Sequence, residues 1–172
     1  MTGVYIGVIG SGSPSHEAAA LAEEVGSAIA RAGALLLCGG LGGVMEAACR
    51  GAKSAGGTTV AILPGASRRD ANPYVDVAIA TGMGEMRNAL LVRASDALVA
   101  VAGEFGTLSE MAFALKTGVP VVGISTWELA RNGRAVDAID RVDSAREAVE
   151  TAMKKARATT AHRGATPPST DQ

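Results

Sequence analysis

The residues best suited to chemistry form three glycine-rich segments, each placed directly after a short apolar run. They read GSGSPS at 10–15, GGLGG at 39–43 and GEFGT at 103–107. Glycine lets backbone N–H groups approach an anion closely, and the N-terminus of a following helix adds a positive dipole end. The pattern therefore predicts a phosphate-binding site. Its candidate residues are Gly10, Ser11, Gly12, Ser13, Gly39, Gly40, Gly42, Gly43, Gly103, Glu104, Phe105, Gly106 and Thr107.

Two common nucleotide-binding motifs fit these segments poorly. The first segment begins like GxGxxG, but Ser15 stands at the third glycine position. The second apolar run ends at Cys38, followed by glycines, where a dinucleotide enzyme carries an acidic residue for the ribose. No GKS or GKT follows any of the three segments, so a Walker P-loop is excluded. Phosphate binding is indicated without the motifs of NAD, FAD or P-loop proteins.

Two charged residues accompany the glycine segments. Arg87 lies near the start of a predicted helix that opens toward the ligand, and arginine is the side chain suited to bidentate phosphate contacts. Glu110 has two interpretations. Its spacing fits a capping box at 107–110, where a glutamate closes back onto the start of its own helix, and a ligand-facing role is implied by the family resemblance described below. The two roles can coexist.

The elements that must position these residues alternate between strand and helix. This βα order predicts a Rossmann-like α/β fold: a doubly wound parallel sheet in one domain, with three α/β/α layers. Ligands of such sheets bind outside the carboxyl ends of the strands. We assign residues 1–157 to the domain, with a last helix over 143–157, and predict a disordered tail over 158–172. The predicted strands span 4–10, 34–40, 58–65, 75–82, 97–103 and 119–125.

Composition limits the class of partner. The net charge is -1 and aromatic residues make up 3%, which argues against a nucleic-acid partner. No apolar run approaches the roughly 20 residues of a membrane span. Cys38 and Cys49 lack CxxC spacing and are interpreted as reduced core residues of a cytoplasmic protein. His16 and His162 are isolated, and no cluster has metal-ligand spacing, so we expect no metal.

Together the motifs resemble a known family. Met86-Arg87, Ser95-Asp96 and the segment 103–110 are similar to the signature of the lonely-guy (LOG) proteins, in which an arginine is followed by a strand and by PGGxGTxxE. The resemblance covers roughly residues 4–125. It implies a phosphoribohydrolase that cleaves the N-glycosidic bond of a nucleoside 5′-monophosphate. In that case Arg87 and Glu110 would be the catalytic residues.

The chain is more similar to the shorter branch of this LOG-like, lysine decarboxylase-like (SLOG) superfamily, which contains the molybdenum cofactor carrier proteins. The similarity lies in GTLSEMAFALKTGVPVVGI at 106–124 and in Arg87-Asn88, where LOG enzymes have Arg-Lys. It implies a protein that binds a phosphorylated ligand, either the molybdenum cofactor or a nucleoside monophosphate. No cofactor is required by the sequence itself. Ala102 and Glu104 depart from the PGG motif, which weakens the case for catalysis more than the case for binding.

The family resemblance also implies a homodimer or homotetramer. Apolar residues on two predicted helices are candidates for the subunit contacts, and the alternative is that they simply cover the sheet. These candidates are Leu91, Met111, Phe113 and Leu115.

Overall fold

The computed structural model describes the backbone of residues 3–165 and the side chains of residues 3–159. Its main sheet consists of β1 (Tyr5–Gly10), β2 (Leu35–Cys38), β3 (Thr59–Leu63), β4 (Val77–Ala80), β5 (Ala97–Val101), β6 (Val121–Ile124) and β9 (Asp140–Arg141). A separate hairpin pairs β7 (Ala130–Arg131) with β8 (Arg134–Ala135). The helices are α1 (His16–Arg31), α2 (Val44–Ser54), α3 (Arg87–Ala94), α4 (Phe105–Thr117) and α5 (Ala145–Ala165).

All neighbouring strands of the main sheet are parallel, in the order β4-β3-β2-β1-β5-β6-β9. The chain moves outward from β1 to β4, then returns to place β5 on the other side of β1. The direction of winding therefore reverses between β1 and β5. In open α/β sheets, such a reversal opens the crevice in which ligands bind. The predicted doubly wound sheet is confirmed.

The helices cover both faces of the sheet and bury two separate cores. On one face α1, α2 and α5 pack on side chains such as Val8 and Val99. On the other face α3 and α4 pack on residues such as Ile9 and Leu98. Because β1 and β5 lie between these layers, their side chains are apolar on both faces, as expected for buried parallel strands. This confirms the predicted three layers and the single domain.

Two glycines bring α1 and α2 into direct backbone contact. A Cβ atom at Gly26 would lie 1.9 Å from the backbone oxygen of Ala48, and one at Gly51 would lie 1.9 Å from that of Glu23. Each helix thus presents a glycine to the backbone of the other. An ion pair between Arg50 and Glu23, 2.8 Å from Nη2 to Oε2, closes the exposed side of the contact. This packing holds α2 against α1 and so fixes the position of the glycine segment at 39–43, which precedes α2.

Several elements differ from their predictions. Helix α4 begins at Phe105 rather than at Thr107, and the hairpin β7–β8 and strand β9 were not predicted. Helix α5 continues to Ala165, so residues 158–165 extend the helix, and the rest of the predicted tail, 166–172, lies outside the described residues. None of residues 158–165 is a proline that would end the helix.

The four residues proposed for subunit contacts fall into two groups. Leu91 and Met111 are 0% exposed and belong to the core beneath α3 and α4. For these two residues the alternative interpretation, that they cover the sheet, is the correct one. Phe113 and Leu115 are partly buried against the same core. In the described part of the chain, no helix is both long and apolar enough to cross a bilayer.

Candidate functional site

The three glycine segments meet at the carboxyl edge of the sheet. They follow β1, β2 and β5, which are adjacent in the order β2-β1-β5. Between them lies a cavity of about 190 Å³ at the point where the winding of the sheet reverses. Predicted residues in its lining are Gly10, Ser11, Gly12, Gly39, Arg87, Glu104, Gly106, Thr107 and Glu110, and the lining is completed by Val8, Ile9, Met45 and Asn88.

The remaining predicted residues lie behind this lining or beside it: Ser13, Gly40, Gly42, Gly43, Gly103 and Phe105. Met45 packs against the core and also lines the cavity. Asn88 follows Arg87 on α3 and faces the same space. Its position beside the arginine was the signal that could have identified it.

Arg87 carries its charge into the cavity without a partner. It is the first residue of α3 and is 8% exposed. Its Nε and Nη1 atoms are buried and make no hydrogen bond to any described residue. The guanidinium lies against the backbone of Gly39, where a Cβ atom would come within 2.4 Å of Nη1. Burial lowers the pKa of Arg87, while the negative charge of Glu110 opposes that shift.

Glu110 faces the same cavity from α4 and is also 8% exposed. Burial raises the pKa of its carboxyl to about 7, and the positive charge of Arg87 opposes the shift. The two groups influence each other through space, yet no ion pair joins them in the described structure. Guanidinium and carboxylate therefore line one cavity without being paired to each other.

The capping box predicted at 107–110 is absent. Because α4 begins at Phe105, Thr107 already lies inside the helix, and the N-cap position belongs to Glu104. The Glu104 side chain makes no capping hydrogen bond. The first N–H groups of the helix, which have no intrahelical partner, therefore stay free for an acceptor at the cavity wall. Glu110 is released from the structural role that its sequence position offered.

Gly106 is the second residue of α4 and lines the cavity. A Cβ atom built there would meet nothing within 4 Å. No packing inside the protein requires glycine at this position, although glycine weakens a helix by about 1 kcal/mol relative to alanine. At this exposed, cavity-lining position the absence of a side chain leaves the first turn of the helix uncovered.

Glu104 connects its own glycine segment to the first glycine segment and to the segment between β6 and β7. Its Oε1 accepts a hydrogen bond of 3.0 Å from the Ser11 hydroxyl. The backbone N–H of Ser13 donates to that same Ser11 oxygen at 3.0 Å, which directs the hydroxyl proton toward Glu104. The indole N–H of Trp127 donates to the backbone oxygen of Glu104 at 3.2 Å. These contacts span up to 93 residues along the chain.

The backbone around Glu104 is under strain. Ala102, which stands where the LOG motif has proline, adopts a φ of 49°, a conformation that is unfavourable for residues other than glycine. The hydroxyl of Thr126 donates to the Ala102 oxygen and holds the turn in place. Such strain persists only where surrounding contacts impose it, and it is concentrated at functional sites.

The second glycine turn is fixed by a residue that the sequence did not single out. The Asn72 side-chain amide donates to the backbone oxygens of Leu41 at 3.0 Å and Gly40 at 3.3 Å. Asn72 is 9% exposed. Behind the same turn Cys38 and Cys49 are buried free thiols with 3.5 Å between their sulfur atoms. In the described residues, no group of three His, Cys, Asp or Glu side chains could hold a metal.

Comparisons with known proteins agree with this architecture. A molybdenum cofactor binding protein from the phototrophic bacterium Rippkaea orientalis superposes with a TM-score of 0.81 and 35% identity, covering 90% of this chain and 98% of its own. The molybdenum cofactor carrier protein of Chlamydomonas reinhardtii gives a TM-score of 0.79 and 35% identity, covering 91% and 99%.

The LOG resemblance also has a curated counterpart. The cytokinin riboside 5′-monophosphate phosphoribohydrolase of Mycobacterium tuberculosis is 35% identical over 133 residues, 71% of this chain and 71% of that protein. The resemblances to LOG enzymes and to the carrier branch are both confirmed. The model of the SLOG cluster4 family matches residues 3–160. The chain therefore belongs to the SLOG cluster4 family.

Proposed function

We propose that the cavity between β1 and β5 binds the phosphorylated end of a small ligand. The observation that carries this proposal is Arg87, which lines the cavity and whose buried Nε and Nη1 have no hydrogen-bond partner among the described residues. A buried charge without a partner is costly, so a site that keeps one is built for a partner that arrives from solution. A phosphate group accepts hydrogen bonds from guanidinium in a bidentate geometry.

The start of α4 supports the same proposal. Its uncapped N–H groups and positive dipole end face the cavity beside Gly106 and Thr107. Arginine and helix N-terminus thus offer an anion two independent sets of donors. The volume of about 190 Å³ is below the 300 Å³ at which ligand pockets usually begin. It suits a phosphate with an attached sugar, and the remainder of the ligand extends through the mouth.

The ligand we propose is either a nucleoside monophosphate or the phosphorylated pterin of the molybdenum cofactor. The names of the two structural relatives support the pterin, and the phosphoribohydrolase supports the nucleotide. The unpaired donors of Arg87 fit the phosphate of either one. We favour a binding protein that carries its ligand. The buried free thiols Cys38 and Cys49 fit a cytoplasmic location, where thiols stay reduced.

Calorimetric titration tests the binding proposal. The probes are inorganic phosphate, ribose 5-phosphate and AMP, and the test variant is Arg87→Met, which removes the charge and keeps an apolar stem. Arg93→Met is the control, because Arg93 lies exposed on the same helix. We expect ribose 5-phosphate and AMP to bind to the wild type and to Arg93→Met with similar affinity. The affinity of Arg87→Met for both ligands should be at least tenfold lower. Failure of all three probes to bind to the wild type would overturn the proposal.

A second candidate is hydrolysis of the N-glycosidic bond, and one observation favours it. Glu110 is a buried carboxyl with a pKa of about 7 in the same cavity as Arg87. Carboxylates stabilise the oxocarbenium-like centre that forms when a glycosidic bond breaks, and a group with this pKa can move a proton near neutral pH. In this reading Arg87 orients the phosphate and Glu110 lies near the sugar.

The hydrolysis candidate is tested by incubating the protein with AMP, GMP and CMP and measuring free base and ribose 5-phosphate. We expect Glu110→Gln to abolish release while ribose 5-phosphate still binds. If the wild type releases no base from any of the three, the protein is not a phosphoribohydrolase for these substrates, and the binding proposal is unaffected.

We also propose that a second copy of the chain covers the face of the sheet that carries α3 and α4. Of six exposed large apolar side chains among the described residues, five lie at β4, at α3 and between them. These are Val77, Ile79, Met83, Met86 and Leu90. Contiguous exposed apolar patches mark interaction sites, and a homodimer pairs such a patch with itself. A homodimer built on this face could pair further into a homotetramer.

A further inference from the structure

The mouth of the cavity differs in charge from its floor. Arg87 lies buried at the floor, whereas Glu104 lies exposed at the rim. A carboxylate repels a phosphate, so the phosphate belongs at the floor, and Glu104 must face another part of the ligand. Because the cavity holds only part of the ligand, the part that faces Glu104 lies at the cavity mouth.

The Glu104 carboxylate is held in a fixed orientation. One oxygen accepts the proton of Ser11, and the backbone is held by Trp127. The second oxygen, Oε2, has no partner among the described residues. Each carboxylate oxygen can accept two hydrogen bonds, so Oε1 retains one free site and Oε2 two. The rim therefore presents two parallel acceptors side by side, with no donor between them.

An aromatic surface adjoins these acceptors. Phe105 follows Glu104 at the mouth and is 78% exposed. Its ring contacts that of Trp127, with 5.5 Å between centroids and 42° between planes. Trp127 therefore supports Phe105 as well as the Glu104 backbone. Such an exposed ring, fixed from behind, provides a face on which a flat heterocycle can stack.

We propose that Glu104 and Phe105 recognise the 2-amino-4-oxopyrimidine edge that guanine and pterin share. This edge carries a ring N–H and an adjacent amino group, two parallel donors that match the two oxygens of a carboxylate. Adenine presents one donor and one acceptor along its corresponding edge, and hypoxanthine lacks the amino group. The inference rests on the proposed phosphate site and adds the class of ring that the ligand carries.

Calorimetric titration with GMP, IMP, AMP and 6-hydroxymethylpterin monophosphate tests it, with ribose 5-phosphate as the ring-free reference. We expect GMP to bind at least tenfold more tightly than AMP, with IMP between them. The comparison of GMP with the pterin phosphate distinguishes the two sources of the edge. Tighter binding of the pterin identifies a pterin carrier, and tighter binding of GMP identifies a guanine nucleotide protein.

Variants assign the preference to these residues. In Glu104→Gln one acceptor becomes a donor, which matches the edge of adenine. We therefore expect the affinity for GMP to fall at least tenfold and the affinity for AMP to stay the same or increase. Glu24→Gln, at an exposed site on α1, is the control and should keep the GMP preference. Phe105→Leu should lower the affinity for GMP several-fold and leave the affinity for ribose 5-phosphate unchanged.

Two results would overturn the inference while leaving the phosphate site intact. One is equal affinity of the wild type for GMP and AMP when ribose 5-phosphate still binds. The other is a GMP preference that survives Glu104→Gln. If ribose 5-phosphate, the nucleotides and the pterin phosphate all fail to bind, both the phosphate site and the ring-edge inference are overturned.

Discussion

Arg87 and Glu110 place opposite charges in one cavity without joining them. Each is 8% exposed, and burial lowers the pKa of Arg87 and raises the pKa of Glu110, so that both shifts favour the neutral form. A direct ion pair would satisfy both groups, yet in the described structure it is not formed. The free protein therefore carries an electrostatic cost at this site, which a ligand with a phosphate and hydroxyl groups would remove.

From this cost follows an effect of Arg87→Met on the protein without ligand. Replacing a buried unpaired charge with an apolar side chain should raise the free energy of unfolding by about 1–4 kcal/mol. The measurement is urea denaturation at pH 6. There Glu110 is mostly protonated, since its pKa of about 7 would rise further without Arg87. Arg93→Met, at an exposed position, should change stability by less than about 0.5 kcal/mol. A large loss of stability in Arg87→Met would mean that its guanidinium has a structural role.

The Glu110 carboxyl makes stability depend on pH. Its pKa is about 7 in the folded protein against 4.5 ordinarily. The folded state therefore holds the proton more tightly, and its contribution to stability is present below pH 4.5 and lost as the pH rises to about 7. The free energy of unfolding of Glu110→Gln should exceed that of the wild type by about 3 kcal/mol at pH 8 and equal it near pH 4.5.

Denaturant titrations at both pH values measure the effect. Glu24→Gln should differ from the wild type equally at the two pH values, because Glu24 is exposed. A stability gap for Glu110→Gln that stays constant with pH would show that its pKa is close to the ordinary value.

Spacing in the sequence was enough to single out the three glycine segments, which follow strands that end at one edge of a parallel sheet, and Arg87 at the start of a helix. The functional interpretation of Glu110 depended on the family resemblance. Spacing did not indicate the roles of Asn72, Trp127 and Ser11 toward their partners. Ser11 and Glu104 are 93 residues apart, and Trp127 and Glu104 are 23 apart. Such contacts depend on the order of strands in the sheet, which no local pattern encodes.

At the scale of elements, the start of α4 decides how the site works. The sequence offered Thr107 as a cap, since Thr-x-x-Glu is a common start signal. The helix instead begins two residues earlier, which places Gly106 in its first turn and leaves its N–H groups uncapped. Local propensity favoured the later start. The strained Ala102, held by Thr126, turns the chain into the helix sooner.

This helix start predicts opposite effects of Gly106→Ala on stability and on binding. A Cβ atom there meets nothing, and alanine suits a helix better, so the free protein should gain about 0.5–1 kcal/mol in unfolding free energy. The same methyl group would occupy the space beside the helix N–H groups. Affinity for ribose 5-phosphate, measured by calorimetry, should fall at least tenfold. Unchanged affinity would place the phosphate elsewhere in the cavity.

Gly51→Ala should have the opposite effect on stability, although it is also a glycine-to-alanine change in a helix. Its Cβ atom would lie 1.9 Å from the Glu23 backbone oxygen, so α1 and α2 must move apart. We expect a loss of about 3 kcal/mol of unfolding free energy, which exceeds the gain of about 1 kcal/mol in helix propensity. Thermal and urea denaturation measure it. A neutral or stabilising outcome would show that the two helices adjust without cost.

The sequence predicted the long elements well and the short ones poorly. Buried strands such as β5 are uniformly apolar, so they were identified from the sequence. The two-residue strands β7, β8 and β9 bury too little side-chain surface to leave a pattern. Their positions matter nonetheless, because the segment between β6 and β7 supplies Trp127 to the cavity mouth.

At the scale of the whole molecule, the two faces of the sheet are covered unequally. Three helices pack on one face and two on the other. Strand β4 lies at the edge, and its Val77 and Ile79 pair in register with Val60 and Ile62 of β3. Paired residues share a face, so Val77 and Ile79 point to the face of α3 and α4, where each is 48% exposed. The apolar residues Met86 and Leu90 of this region continue the same surface.

This uncovered surface predicts self-association through a two-fold axis. Leu90 is 42% exposed and lies on α3, whose N-terminus carries Arg87. Two copies that bury this surface against each other would cover Leu90 and the edge strand together. They would also bring α3 of each copy, with its arginine, close to the interface. Association would then stabilise the helix that carries Arg87, the residue proposed to bind the phosphate, so loss of the dimer should weaken ligand binding as well.

Leu90→Glu tests this link between assembly and site. A charge buried in an apolar interface is unfavourable, so we expect the wild type to sediment as a dimer or tetramer and the variant near the monomer mass of 17.2 kDa. Ala20→Glu, an exposed position on α1, adds the same charge on the opposite face and should leave the assembly intact. Affinity for ribose 5-phosphate should fall in Leu90→Glu alone. A wild-type protein that remains monomeric at micromolar concentration would contradict the interface. A monomeric Leu90→Glu that binds as tightly as the wild type would show that each chain completes its own site.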